Sequence, residues 1–196
     1  MVSKYPNKYG LMLMVDKKDY RFIKKYKKNL DPYVEFYVNP KMFNDVAPQH
    51  ISLCYFSYPE KYPKEHIKKL IPKIIKIAKK YLPIKLKVKG LMGGWELNWG
   101  FPVIMWNVVD YNNINKFHKE IINSLKEEVE HFNDPDLEFE PHVGIALGKN
   151  ESIEELKTII NATKKDEEFE IQLSSLEIFF PSAPEKIFEV KNGRYK

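Results

Sequence analysis

Two short apolar segments, each opening with proline and containing a histidine, constrain the fold of this 196-residue chain more than any other feature. The first is Pro48–Leu53, with the sequence PQHISL, and the second is Pro141–Ala146, with the sequence PHVGIA. Their histidines, His50 and His142, lie 142 − 50 = 92 residues apart, about half the chain length. This spacing predicts an internal duplication in which each half contributes one histidine-bearing strand.

Strand alternation is expected to place each histidine beside small side chains, because successive side chains point to opposite faces of a strand. The faces predicted to carry the histidines consist of His50, Ser52 and Cys54 in the first segment and His142, Gly144 and Ala146 in the second. The opposite faces, predicted to be buried, consist of Ile51, Leu53 and Tyr55 and of Val143, Ile145 and Leu147. If the two halves face each other, the histidines converge across one cleft.

Two converging imidazoles suit acid–base chemistry near neutral pH, because the unperturbed pKa of histidine is about 6.5. The neutral imidazole takes a proton from the attacking hydroxyl or water, and the protonated one gives a proton to the leaving oxygen. This division of roles fits phosphodiester cleavage, with the Ser52 hydroxyl donating to a phosphate oxygen. The scheme needs no metal or other cofactor. The remaining histidines, His66, His118 and His131, fall among charges in helical patterns and are predicted to lie at solvated surfaces.

Composition excludes several classes of protein. The single cysteine, Cys54, excludes an intramolecular disulfide framework and a cysteine-based metal cage. The sequence has no apolar run near the ~20 residues of a membrane-spanning helix and no signal pattern at its start. We therefore expect a cytoplasmic monomer with no membrane partner.

Charge is divided unevenly along the chain. Residues 1–98 carry 21 basic and 8 acidic side chains (21 − 8 = +13), and residues 99–196 carry 11 and 19 (11 − 19 = −8), which together give +5. The basic half could offer a face to a polyanion such as RNA. The alternative is that both halves carry solvated, charged helices.

Hydrophobic periodicity predicts alternating strands and helices. The predicted strands are Gly10–Val15, Gln49–Phe56, Ile84–Lys89, Val103–Val109, Pro141–Leu147, Glu170–Phe180 and Lys186–Val190. The predicted helices are Tyr20–Leu30, Lys64–Leu82, Ile114–Phe132 and one opened by Ser152, for which Glu155 completes a capping box. A glycine-rich turn is predicted over Gly90–Gly100, where Trp95 and Trp99 could sandwich a base or cap the core.

The twin histidine segments resemble the His-x-Thr/Ser-x motifs of the 2H phosphoesterase superfamily, which includes 2′-5′ RNA ligases and cyclic nucleotide phosphodiesterases. The resemblance covers most of the chain. It implies one bilobal α+β domain over residues 1–196, duplicated about a pseudo-twofold axis, with two antiparallel sheets lining a central cleft and helices outside. It also implies that His50 and His142 are the catalytic acid and base, in an order that stays open, and that Ser52 binds phosphate.

Gly144 departs from the family pattern, which has Thr or Ser at that position. A water, a backbone N–H or a lysine replaces the missing hydroxyl, or the glycine makes space for a bulkier ligand, or the site binds without turnover. Three functions follow. The first is metal-independent cleavage of a 2′,3′-cyclic phosphate or a 2′-5′ linkage in a nucleotide, an oligonucleotide or an RNA end. The second is a nucleotide- or RNA-binding module with reduced or lost turnover, and the third is RNA binding by the basic half alone.

Overall fold

The structure, a computed structural model, describes residues 8–36, 49–57, 64–95, 102–129, 131–132, 139–179, 184–191 and 194–195. The helices in this part of the chain are α1 (Arg21–Leu30), α2 (Lys64–Tyr81), α3 (Asn112–Leu125) and α4 (Ile153–Thr163). Short 3-10 helices, Lys17–Tyr20 and Asn150–Ser152, precede α1 and α4. No helix of the described residues is long and apolar enough to cross a membrane.

The strands of the described residues join in one antiparallel sheet. They are β1 (Lys8–Val15), β2 (Val34–Phe36), β3 (His50–Ser57), β4 (Ile84–Gly94), β5 (Val103–Asp110), β6 (His131–Phe132), β7 (Val143–Gly148), β8 (Phe169–Phe179), β9 (Pro184–Lys191) and β10 (Arg194–Tyr195). Their order is β2-β7-β5-β4-β8-β1-β3-β6, with β9 on β8 and β10 on β9. The α+β class is confirmed. The expectation of two sheets is wrong, because Ile84–Val88 of β4 pairs with Phe169–Leu173 of β8 and joins the two sides.

The same order of elements occurs twice along the chain. Residues 8–94 run β1-α1-β2-β3-α2-β4, and residues 103–179 run β5-α3-β6-β7-α4-β8. Strands β4 and β8 lie at the centre of the sheet, and outward from them β5 corresponds to β1, β7 to β3 and β2 to β6. The outer strands are exchanged, since β2 pairs with β7 of the second series and β6 pairs with β3 of the first.

Apolar stripes hold the helices against the sheet and against each other. The stripe of α3 consists of Ile114, Phe117, Ile121 and Leu125, at the spacing of three or four residues that one helix face requires. Helix α2 packs on α3, and α4 packs on β4. Burying one large aliphatic side chain stabilises the fold by roughly 1.5–3 kcal/mol, so these stripes account for the position of each helix.

Two sequence predictions of element bounds and one of a helix cap are wrong. Helix α3 ends at Leu125, and His131–Phe132 forms β6, because its pairing with β3 outweighs the helical periodicity that continues to Phe132. Strand β4 continues through Gly94, where a turn from Gly90 was expected. Ser152 does precede α4, but its side chain makes no capping hydrogen bond, so the capping box is not formed.

Candidate active site

The two histidine-bearing strands approach each other although four strands separate them along the sheet. In a flat sheet β3 and β7 would lie about 24 Å apart, which is five spacings of ~4.8 Å. Cα atoms of β3 and β7 instead come within 8 Å of each other. The sheet therefore curves back on itself. His50 is the first residue of β3, and His142 directly precedes β7.

Strand β3 contains a β-bulge within the histidine motif. Its pairing with β1 places Leu11 opposite Cys54 but Met12 opposite Ser52, so Leu53 is an extra residue. An extra residue reverses which face the following side chains point to. The predicted alternation therefore fails after Leu53.

Strand β7 contains a bulge at the matching position. Its pairing with β5 places Ile104 opposite Ala146 but Met105 opposite Gly144, so Ile145 is the extra residue. Ile145 follows the extra residue of β3 by 145 − 53 = 92 positions, the same interval that separates the histidines. The duplication seen in sequence thus extends to the irregularities of the two strands.

The bulges change which residues lie beside the histidines. Cys54 and Ala146, which alternation assigned to the histidine faces, are fully buried. Tyr55 and Leu147, which it assigned to the opposite faces, are half-buried. The same order of burial runs over residues 51–56 and 143–148. The two faces, called here the first and second histidine rows, consist of His50, Ser52 and Tyr55 and of His142, Gly144 and Leu147.

Tyr55 is the residue of the first histidine row that sequence analysis assigned to the opposite face. Its Oη lies 3.0 Å from Oγ of Ser52, so the two hydroxyls form a hydrogen-bonded pair in the first histidine row. Its ring covers Gly10, the residue opposite it on β1, where an added Cβ would lie 2.9 Å from the ring. The one sequence signal was Gly10 itself, because a glycine inside a strand pattern is typical of a close approach.

His142 is exposed, and stacking anchors the segment that leads to it. The ring of Phe139 stacks on His118 of α3 with centroids 4.0 Å apart. Nδ1 of His142 lies 3.0 Å from the carbonyl oxygen of Glu140. Because a carbonyl only accepts, Nδ1 carries the proton, and Nε2 is the nitrogen left for proton transfer. His118 is buried, so its predicted surface position is wrong.

The two histidine rows differ in chemistry. The first contains the hydroxyls of Ser52 and Tyr55, and the second has Gly144 and Leu147 at the matching positions. The residue opposite each second position is a methionine, Met12 or Met105, which supplies no hydroxyl either. Any hydroxyl donor from the two rows therefore comes from the first.

Metal-ligand side chains do not cluster in the described part of the chain. No group of three or more His, Cys, Asp or Glu residues there could hold a metal ion. The thiol of Cys54 is fully buried and forms part of the core. Imidazole and hydroxyl groups are thus the polar side chains that the two histidine rows offer.

The predicted base-stacking tryptophans do not join the histidine rows. Trp95 packs partly on the core and lines a cavity of about 640 Å³ between β4 and α4. A second cavity, of about 420 Å³, lies beside His118 and Phe139. Neither His50 nor His142 lines either cavity. Trp99 lies outside the described residues.

Solved structures with a similar fold span nearly the whole chain. Usb1 from Kluyveromyces marxianus has a TM-score of 0.56 at 12% identity, covering 92% of this chain and 97% of its own. The same protein with uridine monophosphate has a TM-score of 0.55 at 11% identity, covering 93% and 98%. Protein TT0787 of Thermus thermophilus has a TM-score of 0.50 at 12% identity, covering 91% and 93%. At these identities the likeness concerns the fold.

Sequence comparison gives the family. No curated protein sequence matches the chain significantly. The family model described as the 2′-5′ RNA ligase superfamily matches residues 18–179, which include both histidine motifs and the four α-helices of the described residues. The chain therefore belongs to the 2′-5′ RNA ligase superfamily, the 2H phosphoesterases.

Proposed function

We propose that this protein is a metal-independent phosphodiesterase that opens a 2′,3′-cyclic phosphate or cleaves a 2′-5′ linkage in an RNA-like substrate. The observation that carries the proposal is the approach of β3 and β7 to within 8 Å between Cα atoms, with His50 as the first residue of β3 and His142 directly before β7. Family membership supports a phosphodiester substrate. The uridine monophosphate in the Kluyveromyces marxianus Usb1 structure supports a nucleotide at the reacting phosphorus.

Catalysis requires one proton transfer on each side of the phosphorus. One neutral imidazole takes a proton from water as its oxygen bonds to phosphorus. The other, protonated imidazole gives a proton to the ribose oxygen as its bond to phosphorus breaks, so atoms and charge balance. The hydrogen bond from Nδ1 of His142 to Glu140 leaves Nε2 for its share of the transfer. His50 takes the other role.

The hydroxyl pair in the first histidine row binds the phosphate. In the 3.0 Å contact between Ser52 and Tyr55, one hydroxyl donates and the other accepts. When one of these hydroxyls donates instead to a phosphate oxygen, the hydrogen bond is charge-assisted and stronger than one between neutral groups. Such a bond stabilises the negative charge that builds up on the phosphoryl oxygens in the transition state.

The proposal is tested by turnover in the presence of EDTA. The substrates are 2′,3′-cyclic nucleotides, 2′-5′ oligoadenylates, 3′-5′ RNA and cyclic dinucleotides, with products separated by chromatography. We expect cleavage of a cyclic phosphate or a 2′-5′ linkage, with kcat lowered at least ~10²-fold in His50→Ala and in His142→Ala. His66→Ala, on α2, is the matched control and should leave kcat unchanged. Activity abolished by EDTA, or retained in both catalytic variants, would disprove the mechanism.

A nucleotide-binding module without turnover is the second candidate, and the second histidine row favours it. Gly144 and Leu147 leave that row without a hydroxyl for the phosphate. Tight nucleotide binding without products, weakened by His50→Ala and by His142→Ala, would establish this function instead. Binding unaffected by both substitutions and steeply weakened by salt would indicate RNA binding by the basic half alone.

A further inference from the structure

A lysine-lined cavity takes no part in the mechanism above. It is the cavity of about 640 Å³ between β4 and α4, called here the lysine cavity. Its polar lining consists of Lys89, Asn107, Lys157, Asn161 and Lys164. None of its lining residues, which all lie in the described part of the chain, carries a carboxylate.

The lysine cavity lies near the centre of the sheet, where β4 and β8 differ in what covers their edges. Beyond its pairing with β4, strand β8 is covered by β9, which pairs with Ser175–Phe179. Beyond its pairing with β8, residues 89–94 of β4 have no strand partner on that edge among the described residues. Helix α4 faces this edge instead, and its Thr163 hydroxyl accepts a hydrogen bond of 2.8 Å from the Leu91 N–H. The cavity therefore lies along the edge of β4 that corresponds to the edge of β8 covered by β9.

Positive charge at the lysine cavity exceeds its local compensation. Lys157 pairs with Glu154 at 2.7 Å. Neither Lys89 nor Lys164 has a carboxylate partner within the described residues. Bringing three ammonium groups to one cavity with one carboxylate beside them costs electrostatic free energy, which a bound anion relieves.

The apolar lining supplies a flat surface beside these charges. Trp95 is half-buried and lies over Gly93, whose missing side chain makes room for the indole. Met92, at 37% exposure one of the few exposed large apolar side chains among the described residues, completes this wall. An indole beside lysines and the Asn107 and Asn161 amides matches a base joined to a phosphate, because bases stack on aromatic rings and hydrogen-bond through their edges.

The lysine cavity connects to the second histidine row across two strands. Met92 of β4 lies opposite Met105 of β5, and Met105 lies opposite Gly144 of β7. Residues directly opposite each other share a face of the sheet. Gly144 and Met92 therefore lie on one surface, about 10 Å apart at ~4.8 Å per strand. That distance is within reach of neighbouring nucleotides in one oligonucleotide.

We propose that the lysine cavity binds the nucleotides next to the cleaved bond, so that the preferred substrate is an oligonucleotide and not a mononucleotide. The proposal rests on the proposed function for the position of the cleaved bond. Lys89, Lys157 and Lys164 bind the chain phosphates, and Trp95 stacks on a base. None of these residues touches the reacting atoms, so their contribution is to KM and not to kcat.

Kinetics on two substrates tests the proposal. One is a 2′,3′-cyclic adenosine monophosphate, and the other is a short oligoadenylate ending in a 2′,3′-cyclic phosphate. The variant K89Q/K157Q/K164Q should raise KM for the oligoadenylate about tenfold and leave kcat/KM for the mononucleotide unchanged. The control K68Q/K69Q/K76Q removes the same charge from α2, outside the cavity, and should change neither. Equal effects of the two triple variants would overturn the proposal, because only total charge would then matter.

Equilibrium binding separates this proposal from the proposed function. The probe is a fluorescein-labelled oligoadenylate with a 3′-phosphate, followed by anisotropy at several salt concentrations. Loss of three single-strand phosphate contacts at about 0.7 each should reduce the slope of log Kd against log salt by about 2 in the cavity variant only. Binding changed in this way, with no turnover of any substrate, would support the cavity and disprove the enzyme. Turnover with unchanged binding would do the reverse.

Stacking on Trp95 has its own test. Trp95→Leu should weaken binding of the same probe about tenfold, and Trp95→Phe should restore most of the affinity, because any aromatic face can stack. Thermal melts of both variants show whether the fold is retained. A Trp95→Leu variant that melts like the parent protein and binds the probe equally well would contradict base stacking in the cavity.

Discussion

The hydroxyls of Ser52 and Tyr55 form a hydrogen-bonded pair, and the bulge between the two residues brings them to one face of β3. The bulge at Leu53 turns Tyr55 onto the face of Ser52, and Gly10 allows the ring to lie across β1. The pair thus depends on three features of two strands. Its proposed role is to hold a phosphate oxygen in the orientation that proton transfer needs.

Tyr55→Phe should lower kcat/KM by about 10–150-fold. The physical reason is the loss of a hydrogen bond to a charged group, worth about 1.5–3 kcal/mol. Steady-state kinetics on the substrate that the EDTA assay identifies provides the measurement. Tyr111→Phe is the matched control, since Tyr111 is exposed and lies outside both histidine rows.

A double-mutant cycle shows whether the pair acts as a unit. Ser52→Ala combined with Tyr55→Phe should cost less than the sum of the single effects, because each single variant already breaks the shared hydrogen bond. Additive effects within about 0.5 kcal/mol would contradict the coupling.

At the residue scale, strand alternation predicts which residues lie beside the histidines only as far as the bulges. Alternation correctly predicts that Ile51 and Val143 are buried, because they precede the bulges. It exchanges the faces of Cys54 and Tyr55, because the bulge arises from the pairing of β3 with β1 and does not show in the sequence of β3 itself. The burial of His118 was missed for a related reason. Its stacking partner, Phe139, lies 21 residues further along the chain (139 − 118 = 21).

At the scale of elements, Gly90 controls the course of β4. It has φ +62°, a left-handed conformation that favours glycine, and it lies where the pairing of β4 with β5 shifts register. A Cβ there would overlap the carbonyl oxygen of Thr163 at the end of α4. The glycine therefore allows β4 to leave β8 and α4 to pack against it.

Gly90→Ala should lower the free energy of unfolding by at least about 1–3 kcal/mol, because it strains a left-handed backbone and also places a Cβ against the Thr163 carbonyl oxygen. Urea denaturation measures this as a lower midpoint with an unchanged m value. Gly94→Ala, in the same strand, is the control, because its Cβ would meet only the flexible end of Met105, at 3.3 Å. Similar losses in both variants would show that the left-handed conformation is not the cause.

The type of an element could be predicted where its own residues carry a complete hydrophobic pattern. Helix α2 extends over Lys64–Tyr81, one residue short of the prediction, because its apolar stripe is complete within the segment. Strand β6 could not be predicted, because its residues continue a helical pattern and become a strand only through β3.

At the scale of the whole molecule, the two halves depend on each other through strands and charges. Each outer strand, β2 or β6, lies on the opposite half. Ion pairs also cross between the halves, from lysines of the basic half to carboxylates of the acidic half: Lys25–Asp166, Lys73–Glu128, Lys80–Glu120 and Lys85–Glu170. Part of the uneven charge is therefore paired between the two halves, which weakens the case for a broad RNA-binding face.

Hydrogen bonds at one of these ion pairs lower the pKa of its carboxyl group. Lys80 and Tyr81 both donate to Glu120, and together they hold the pKa of this carboxyl below its ordinary value. Folding therefore favours the ionised form of Glu120. The resulting stabilisation is present above the ordinary carboxyl pKa and is lost as pH falls through the lowered value.

Urea unfolding should occur in a single transition, because exchanged strands prevent either half from unfolding alone. Far-UV circular dichroism and tryptophan fluorescence, to which the buried Trp106 contributes, should give the same midpoint. In 1 M salt, which screens exposed ion pairs, the midpoint should fall slightly without splitting. Two resolved transitions would contradict the expectation of a single domain.

The exchange of outer strands about the β4–β8 boundary is the arrangement by which two copies of a chain make a domain-swapped dimer. In such a dimer every substitution would appear on both sides of the axis. Covalent joining removes that restriction, and here one row has Ser52 and Tyr55 where the other has Gly144 and Leu147. Phosphodiester cleavage is itself directional, with an entering oxygen on one side of phosphorus and a departing oxygen on the other. Under the proposed function, a fused pair of unlike rows gives the substrate one preferred orientation, whereas two identical rows would offer two equivalent ones.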